Sequence, residues 1–143
     1  MLDERICEML SKLINKAAQR HNFLVLAYVF MSDHVHLLVH PLNEDYEMSA
    51  LLKALKQGPS QSARKHNWID TLLWQRGGWY DDNTVGNEAR QKIIDYIHQN
   101  PVRKGLIDEA SQFRWSSANW YLTGKQGDVV CDRLVFEETF GST

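Results

Sequence analysis

The stretch FLVLAYVFMSDHVHLLVHP, residues 23–41, decides the fold of this 143-residue chain. Its first eight residues form a continuous apolar run rich in β-formers, which predicts a strand buried on both faces. Residues 31–33 have the composition of a short turn. Beyond the turn the side chains alternate between two faces, so His34 and His36 should project from the same side of a second strand. We therefore predict a β-hairpin.

Helices are predicted on both sides of this β-hairpin. Before it, apolar residues at three- and four-residue spacings indicate an amphipathic helix over about residues 3–20. After it, a second apolar stripe predicts a helix over about residues 48–55. A third helix should begin near Asn87 and end at Asn100, because the residue before Pro101 is disfavoured in helical geometry.

The remaining chain completes an α+β pattern. Residues 71–80 read TLLWQRGGWY. From Leu72 to Tyr80 the chain should begin as a strand and open into a glycine-containing loop. The order helix, strand, strand, helix, strand, helix predicts helices packed over an antiparallel sheet. The length fits one domain over residues 1–143, with a core over about 3–107 and an irregular, partly helical tail over 108–143.

Charge is unevenly distributed along the chain, although the net charge is only −2. Residues 1–50 carry four basic and seven acidic side chains, and residues 108–143 carry three and six. Residues 51–107 carry nine and five, a net of +4. This central excess is either ordinary scatter on a solvated surface or a phosphate-binding face.

Composition predicts a protein of the reducing cytoplasm. No apolar stretch reaches the roughly 18 residues needed to span a bilayer. The N-terminus is charged from its third residue, unlike a signal peptide. Cys7 and Cys131 lie near opposite ends and form no CxxC pair, so we expect neither a disulfide framework nor a zinc site.

The paired histidines could ligate a metal ion. His34 and His36 point to one face with their Cβ atoms roughly 7 Å apart, a spacing that lets two imidazoles converge on one divalent ion. Two partly exposed histidines on an edge strand would give the same pattern. A metal site also needs a third ligand from elsewhere in the chain.

The segment IIDYIHQNPVRKGLI, residues 93–107, offers that ligand. Tyr96 and Asn100 are four residues apart and lie on one helical face, at the flank of a core-facing isoleucine stripe. One interpretation is structural, with Tyr96 at the core edge and Asn100 as the helix cap. The other gives Asn100 a carbonyl oxygen for a metal and makes Tyr96 a covalent nucleophile.

These motifs together resemble a known family. The HVH at residues 34–36 matches the signature of the HUH endonucleases. The stretch YVFMSDHVHLLVHP around it resembles REP-associated tyrosine transposases, relatives of the small single-tyrosine insertion-sequence transposases. YIHQNPVRKGLI is similar to the second signature of that family, which contains the nucleophilic tyrosine. The resemblance covers about residues 5–122.

The resemblance implies a function and a site. His34, His36 and Asn100 would ligate Mg²⁺ or Mn²⁺, and Tyr96 would be the nucleophile. The enzyme would be a metal-dependent endonuclease and strand transferase acting on single-stranded DNA with hairpins, such as REP-like palindromes, through a 5′-phosphotyrosine intermediate. It would associate with the nucleoid, and a homodimer is possible.

Basic residues are the candidates for contacts with DNA phosphates. For Arg103 the sequence leaves a second interpretation open, in which its side chain bridges back to the fold. The candidates are Lys53, Lys56, Arg64, Lys65, Arg76, Arg103 and Lys104.

One departure from the family concerns the fold. The resemblance implies a ferredoxin-like antiparallel sheet with helices on one face, but the first element predicted here is the first helix, so we expect the usual first strand to be absent. We therefore expect an exposed sheet edge. Two alternatives stay open: an inactive, domesticated protein that binds DNA hairpins, and an unrelated metal hydrolase in which the two histidines activate water.

Overall fold

The computed structural model describes residues 3–32, 35–41, 79–81 and 87–132. The predicted helix over residues 48–55 lies outside these ranges. The α+β class is confirmed. In chain order the elements are helix α1 (Glu4–His21), strands β1 (Phe23–Phe30), β2 (Val35–Pro41) and β3 (Trp79–Asp81), helix α2 (Asn87–Arg103), a 3₁₀ turn (Ala110–Gln112) and helix α3 (Ala118–Thr123).

Helix α1 forms where the apolar spacing predicts it. The Asp3 side chain caps its start by accepting a hydrogen bond from the Arg5 backbone N–H at 2.9 Å. Its end is set by Asn22, which adopts the left-handed conformation at φ 58°. The buried side of the helix includes Leu10 and Ile14, which pack against the sheet.

The predicted β-hairpin is confirmed. Strands β1 and β2 pair antiparallel, with Phe30 opposite Val35 and Val29 opposite His36. The register shifts between Val25 and Ala27, which marks a β-bulge or similar irregularity in β1.

Both faces of this β-hairpin are covered by helices. Val35 and Leu37 point into a cluster that includes the buried side of α1, whereas Leu38 points to the opposite face and packs with Ile97 of α2. The expectation of helices on one face is therefore wrong for α1 and α2. The reason is that β1 is apolar on both faces, so each face needs a layer to cover it.

The third strand differs from the predicted antiparallel sheet. β3 lies beside β2 and runs parallel to it, with Leu37 opposite Trp79. A parallel neighbour needs a crossover connection of a dozen or more residues, and the chain provides 42–78 between the two strands. Trp79 belongs to this strand, and residues 72–78 of the predicted strand and loop lie outside the described ranges.

Helix α2 continues past the predicted end. The chain remains helical through Pro101 to Arg103, so the prediction that Asn100 terminates the helix is wrong. The last turn is stabilised by backbone hydrogen bonds from Gly105 to Val102 at 3.0 Å and from Leu106 to Pro101 at 2.9 Å. Gly105 has φ +74°, the left-handed geometry of this two-bond helix ending.

The segment after α2 covers the outer edge of β1. The Phe30 N–H donates to the Trp115 carbonyl at 2.8 Å, and the Ser117 N–H donates to the Tyr28 carbonyl at 3.0 Å. Farther along, the Asp132 N–H donates to the Val25 carbonyl at 2.9 Å. The expectation of an exposed edge is therefore wrong for β1, because a later part of the chain occupies that edge.

This covering segment also contributes to the core. Trp115 and Val129 are buried in the cluster that contains α1. Cys7 and Cys131 are both free thiols buried in the same cluster. None of the helices in the described ranges is long and apolar enough to cross a membrane.

Candidate functional site

The candidate site lies where β2 meets α2. His36 is buried, at 7% exposure, on the face of β2 that α2 covers. Its ring meets the Tyr96 ring nearly at right angles, at 85°, with the ring centroids 5.8 Å apart. The two sequence motifs, separated by 60 residues, therefore meet in the fold.

Tyr96 is held at the boundary between the core and solvent. Ile94 and Ile97, on either side of it in the helix, are buried against the sheet. Tyr96 itself is 50% exposed. A substrate can therefore reach this side chain while α2 stays packed.

Asn100 lies one turn after Tyr96 and is buried, at 3% exposure. It is not a helix cap, because α2 extends three residues beyond it. Tyr96 and Asn100 therefore lie on one face of α2, as their four-residue spacing predicted.

Arg103 contacts Tyr96 in two ways. Its guanidinium carbon lies 4.0 Å from the centroid of the Tyr96 ring, within the range of a cation–π interaction. Its Nη2 also donates a hydrogen bond of 2.8 Å to the Tyr96 backbone carbonyl. Both contacts join Arg103 to a residue of its own helix, two turns earlier. Lys104 is exposed next to it.

A buried histidine that the sequence analysis did not identify anchors α2. His98 is 8% exposed, and its Nε2 lies 2.7 Å from the Ser117 hydroxyl oxygen. That oxygen also accepts a hydrogen bond of 3.0 Å from the Tyr28 N–H in β1. Burial lowers the pKa of His98 to about 4, because the charged form would lose its hydration. The sequence signal for its burial was its spacing: His98 follows the buried Ile94 by four residues and so lies on the same side of the helix.

Several predicted site residues fall outside the described ranges. These are His34 and five of the seven candidates for DNA contacts: Lys53, Lys56, Arg64, Lys65 and Arg76. Of the predicted site, the structure brings His36, Tyr96, Asn100 and Arg103 into one region.

The described part of the predicted ligand set suits a hard or borderline divalent ion. His36 offers an imidazole nitrogen, and Asn100 offers an amide oxygen one turn from Tyr96. Within the described ranges no group of three His, Cys, Asp or Glu residues could hold a metal ion. The predicted ligands are His34, His36 and Asn100. His34 lies outside the described ranges and Asn100 is not one of these four residue types, so this result does not bear on the predicted site.

Comparison with known proteins places the chain in a family. The model of the IS200-like transposases matches residues 1–100, a stretch that contains His34, His36, Tyr96 and Asn100. The chain belongs to the IS200-like transposase family. A transposase of this family is a DNA-cleaving enzyme, and its partner is DNA.

One curated relative points in the same direction. A protein of Haemophilus influenzae named as a REP-associated tyrosine transposase is 27% identical over 137 residues. The match covers 82% of this chain and 75% of the relative. No solved structure matches the chain.

Proposed function

We propose that this transposase is a metal-dependent endonuclease and strand transferase for single-stranded DNA, acting at DNA hairpins through a 5′-phosphotyrosine intermediate. The observation that carries the proposal is the contact between His36 and the half-exposed Tyr96 across β2 and α2. It joins a candidate metal ligand to a candidate nucleophile in a chain whose family cleaves DNA.

Tyr96 is the proposed nucleophile. Its phenolic oxygen attacks the scissile phosphorus and forms a new P–O bond, and the bond from phosphorus to the 3′ oxygen breaks. The phenol proton passes to solvent, and the departing 3′ oxygen takes up a proton to become a hydroxyl. The products are a 5′-phosphotyrosine on the protein and a free 3′-OH on the DNA.

The reverse of this step gives strand transfer. One phosphoester bond is broken for each one formed, so the energy of the cleaved linkage is retained in the phosphotyrosine. A 3′-OH from the same or another strand can then attack the phosphotyrosine and release Tyr96. The reaction therefore needs neither ATP nor an activated water.

His34, His36 and Asn100 are the proposed ligands of Mg²⁺ or Mn²⁺. When bound, such an ion supplies polarisation of the scissile phosphate and neutralises its developing charge. The protein contributes rigidity: β2 fixes the direction of His36, and the packed helix α2 fixes Asn100 and Tyr96 on one face.

The DNA contacts are proposed on charge and position. The central residues 51–107 carry a net charge of +4 and include all seven basic candidates. Arg103 and Lys104 lie at the end of the helix that carries Tyr96. Single-stranded DNA with hairpins is the proposed substrate, and the relative named as a REP-associated transposase supports it.

The test is a covalent-adduct assay. Labelled single-stranded oligonucleotides that carry the DNA hairpins flanking the gene are incubated with protein and Mn²⁺ or Mg²⁺, then separated on a denaturing gel. Wild-type protein should give a shifted protein–DNA band. Tyr96→Phe should abolish it, because the ring is retained and only the attacking oxygen is lost.

Two further variants separate the metal role from general damage. His36→Ala should abolish the band, whereas His21→Ala, a histidine at the end of α1, should keep it. Cleavage that survives Tyr96→Phe without a covalent band would indicate a water-activating hydrolase instead. Binding without cleavage in either metal would indicate a protein that only holds DNA hairpins.

A further inference from the structure

The end of helix α2 places a cation on the proposed nucleophile. Arg103 follows Tyr96 by seven residues, which is close to two full helical turns, so both lie on one side of the helix. Long side chains in helices point back toward the N-terminus, which directs Arg103 toward Tyr96. The guanidinium reaches both the ring, at 4.0 Å from its centroid, and the backbone carbonyl, at 2.8 Å.

The backbone under Arg103 is well fixed. Pro101 lies two residues before it, with φ restricted by the proline ring. The hydrogen bonds from Gly105 and Leu106 close the helix immediately after it. Because Arg103 belongs to the last helical turn and not to a loop, the backbone that carries its side chain is held in a fixed position.

Most of the guanidinium remains available for a substrate. An arginine has five N–H donors, and the contacts described for Arg103 use one of them. The side chain is exposed, so the other donors can reach a ligand from solvent. A phosphate attacked by Tyr96 must come within about 3.5 Å of its phenolic oxygen, which brings the phosphate oxygens close to the guanidinium over the same ring.

We propose that Arg103 is a positioning residue for the cleavage step. It holds the Tyr96 ring against His36 and offers its free N–H donors to the scissile phosphate, so that nucleophile and target are aligned by one side chain. This inference rests on the proposed role of Tyr96 and extends it. A contact with a phosphate far from the cleavage site would change only the affinity for DNA. Loss of Arg103 should instead slow the cleavage of DNA that is already bound.

The test separates binding from chemistry. The rate of covalent-adduct formation is measured in single turnover at saturating oligonucleotide, and the Kd for the same oligonucleotide is measured in the Tyr96→Phe background. Arg103→Ala should lower the saturated rate at least about tenfold, as expected when one preorganised donor is lost. Its effect on Kd should be only a few-fold, as for one phosphate contact.

Two variants complete the design. Arg103→Lys keeps the charge but not the planar fork, so it should restore the saturated rate only in part. Lys92→Ala removes a charge from an exposed position on the same helix and should leave the rate unchanged. Thermal unfolding of every variant checks that the fold is retained. We expect it to be, because the Arg103 side chain is exposed.

The outcomes distinguish this inference from the proposed function. A wild-type adduct, a slow saturated rate in Arg103→Ala and partial rescue in Arg103→Lys would support it. A wild-type saturated rate in Arg103→Ala would overturn the inference and leave Tyr96 as the nucleophile. The absence of any adduct with wild-type protein would overturn the proposed function, and the inference with it.

Discussion

Acid should destabilise this protein through His98, the buried histidine that links α2 to β1. Its Nε2 lies 2.7 Å from the Ser117 hydroxyl oxygen, and burial lowers its pKa from 6.5 to about 4. The folded state therefore binds this proton more weakly than the unfolded state does. Above pH 6.5 both states are neutral at His98, and stability is lost as the pH falls from 6.5 toward 4.

The magnitude follows from the two pKa values. The difference of 2.5 pH units, from 6.5 to about 4, corresponds to about 3 kcal/mol at about 1.4 kcal/mol per unit. That amount is a large fraction of the stability of a typical domain, about 5–15 kcal/mol. The negative charge of Asp95 acts in the opposite direction and raises the pKa of His98, and the value of about 4 includes this effect.

Urea unfolding between pH 7 and pH 4 measures this effect, with His98→Gln as the matched variant. Glutamine can still hydrogen bond to Ser117, but it does not titrate. The stability of wild type relative to His98→Gln should fall by about 3 kcal/mol across this range. All other groups titrate in both proteins, so their contributions largely cancel. A constant difference from pH 7 to pH 4 would refute the burial argument.

Two other predictions concern the core. Ile97→Ala should lower the free energy of unfolding by about 2–5 kcal/mol in urea at pH 7, because the Ile97 side chain is fully buried where α2 packs on the sheet. Ile93→Ala should lower it less, because Ile93 is only partly buried. Equal losses of stability in the two variants would contradict this packing. Cys7 and Cys131 should resist a thiol reagent in the native protein and react after unfolding in guanidinium, since burial raises the pKa of Cys7 to about 12 and also that of Cys131. Rapid native labelling would contradict their burial.

Local patterns in the sequence were sufficient for the first part of the fold. Helix α1 and the β-hairpin follow from apolar spacings within single segments, and the structure confirms both. The direction of β3 depends on a partner strand about 40 residues earlier in the chain. No local pattern encodes that pairing, so the parallel arrangement could not be predicted.

The end of α2 shows how one local rule concealed the contact between Arg103 and Tyr96. The steric restriction before a proline is a bias, and here the helix continues because the last turn is closed by Gly105 and Leu106. With the helix ended at Asn100, Arg103 had no defined position. With the helix continued, Arg103 lies two turns from Tyr96 and its contact follows from helical geometry.

His98 and Asn100 differ in how far the sequence revealed them. The sequence predicted that Tyr96 and Asn100 share one face of a helix, and the structure places both on α2, with the Tyr96 ring in contact with His36. His98 was missed because its partner, Ser117, comes from a segment that the sequence indicated only as irregular. A hydrogen bond between distant segments leaves no periodic signal in either one.

The cover over the β1 edge has a consequence for synthesis on the ribosome. Ser117 of the covering segment and Tyr28 of β1, which are joined by hydrogen bonds, are 89 residues apart in the chain. At about 5–20 residues per second, the ribosome needs roughly 5–18 seconds to make the intervening chain. During that interval the nascent β-hairpin exposes an apolar edge strand that can pair with a neighbouring chain. The yield of folded protein should therefore depend on translation speed and on chaperones that shield this edge.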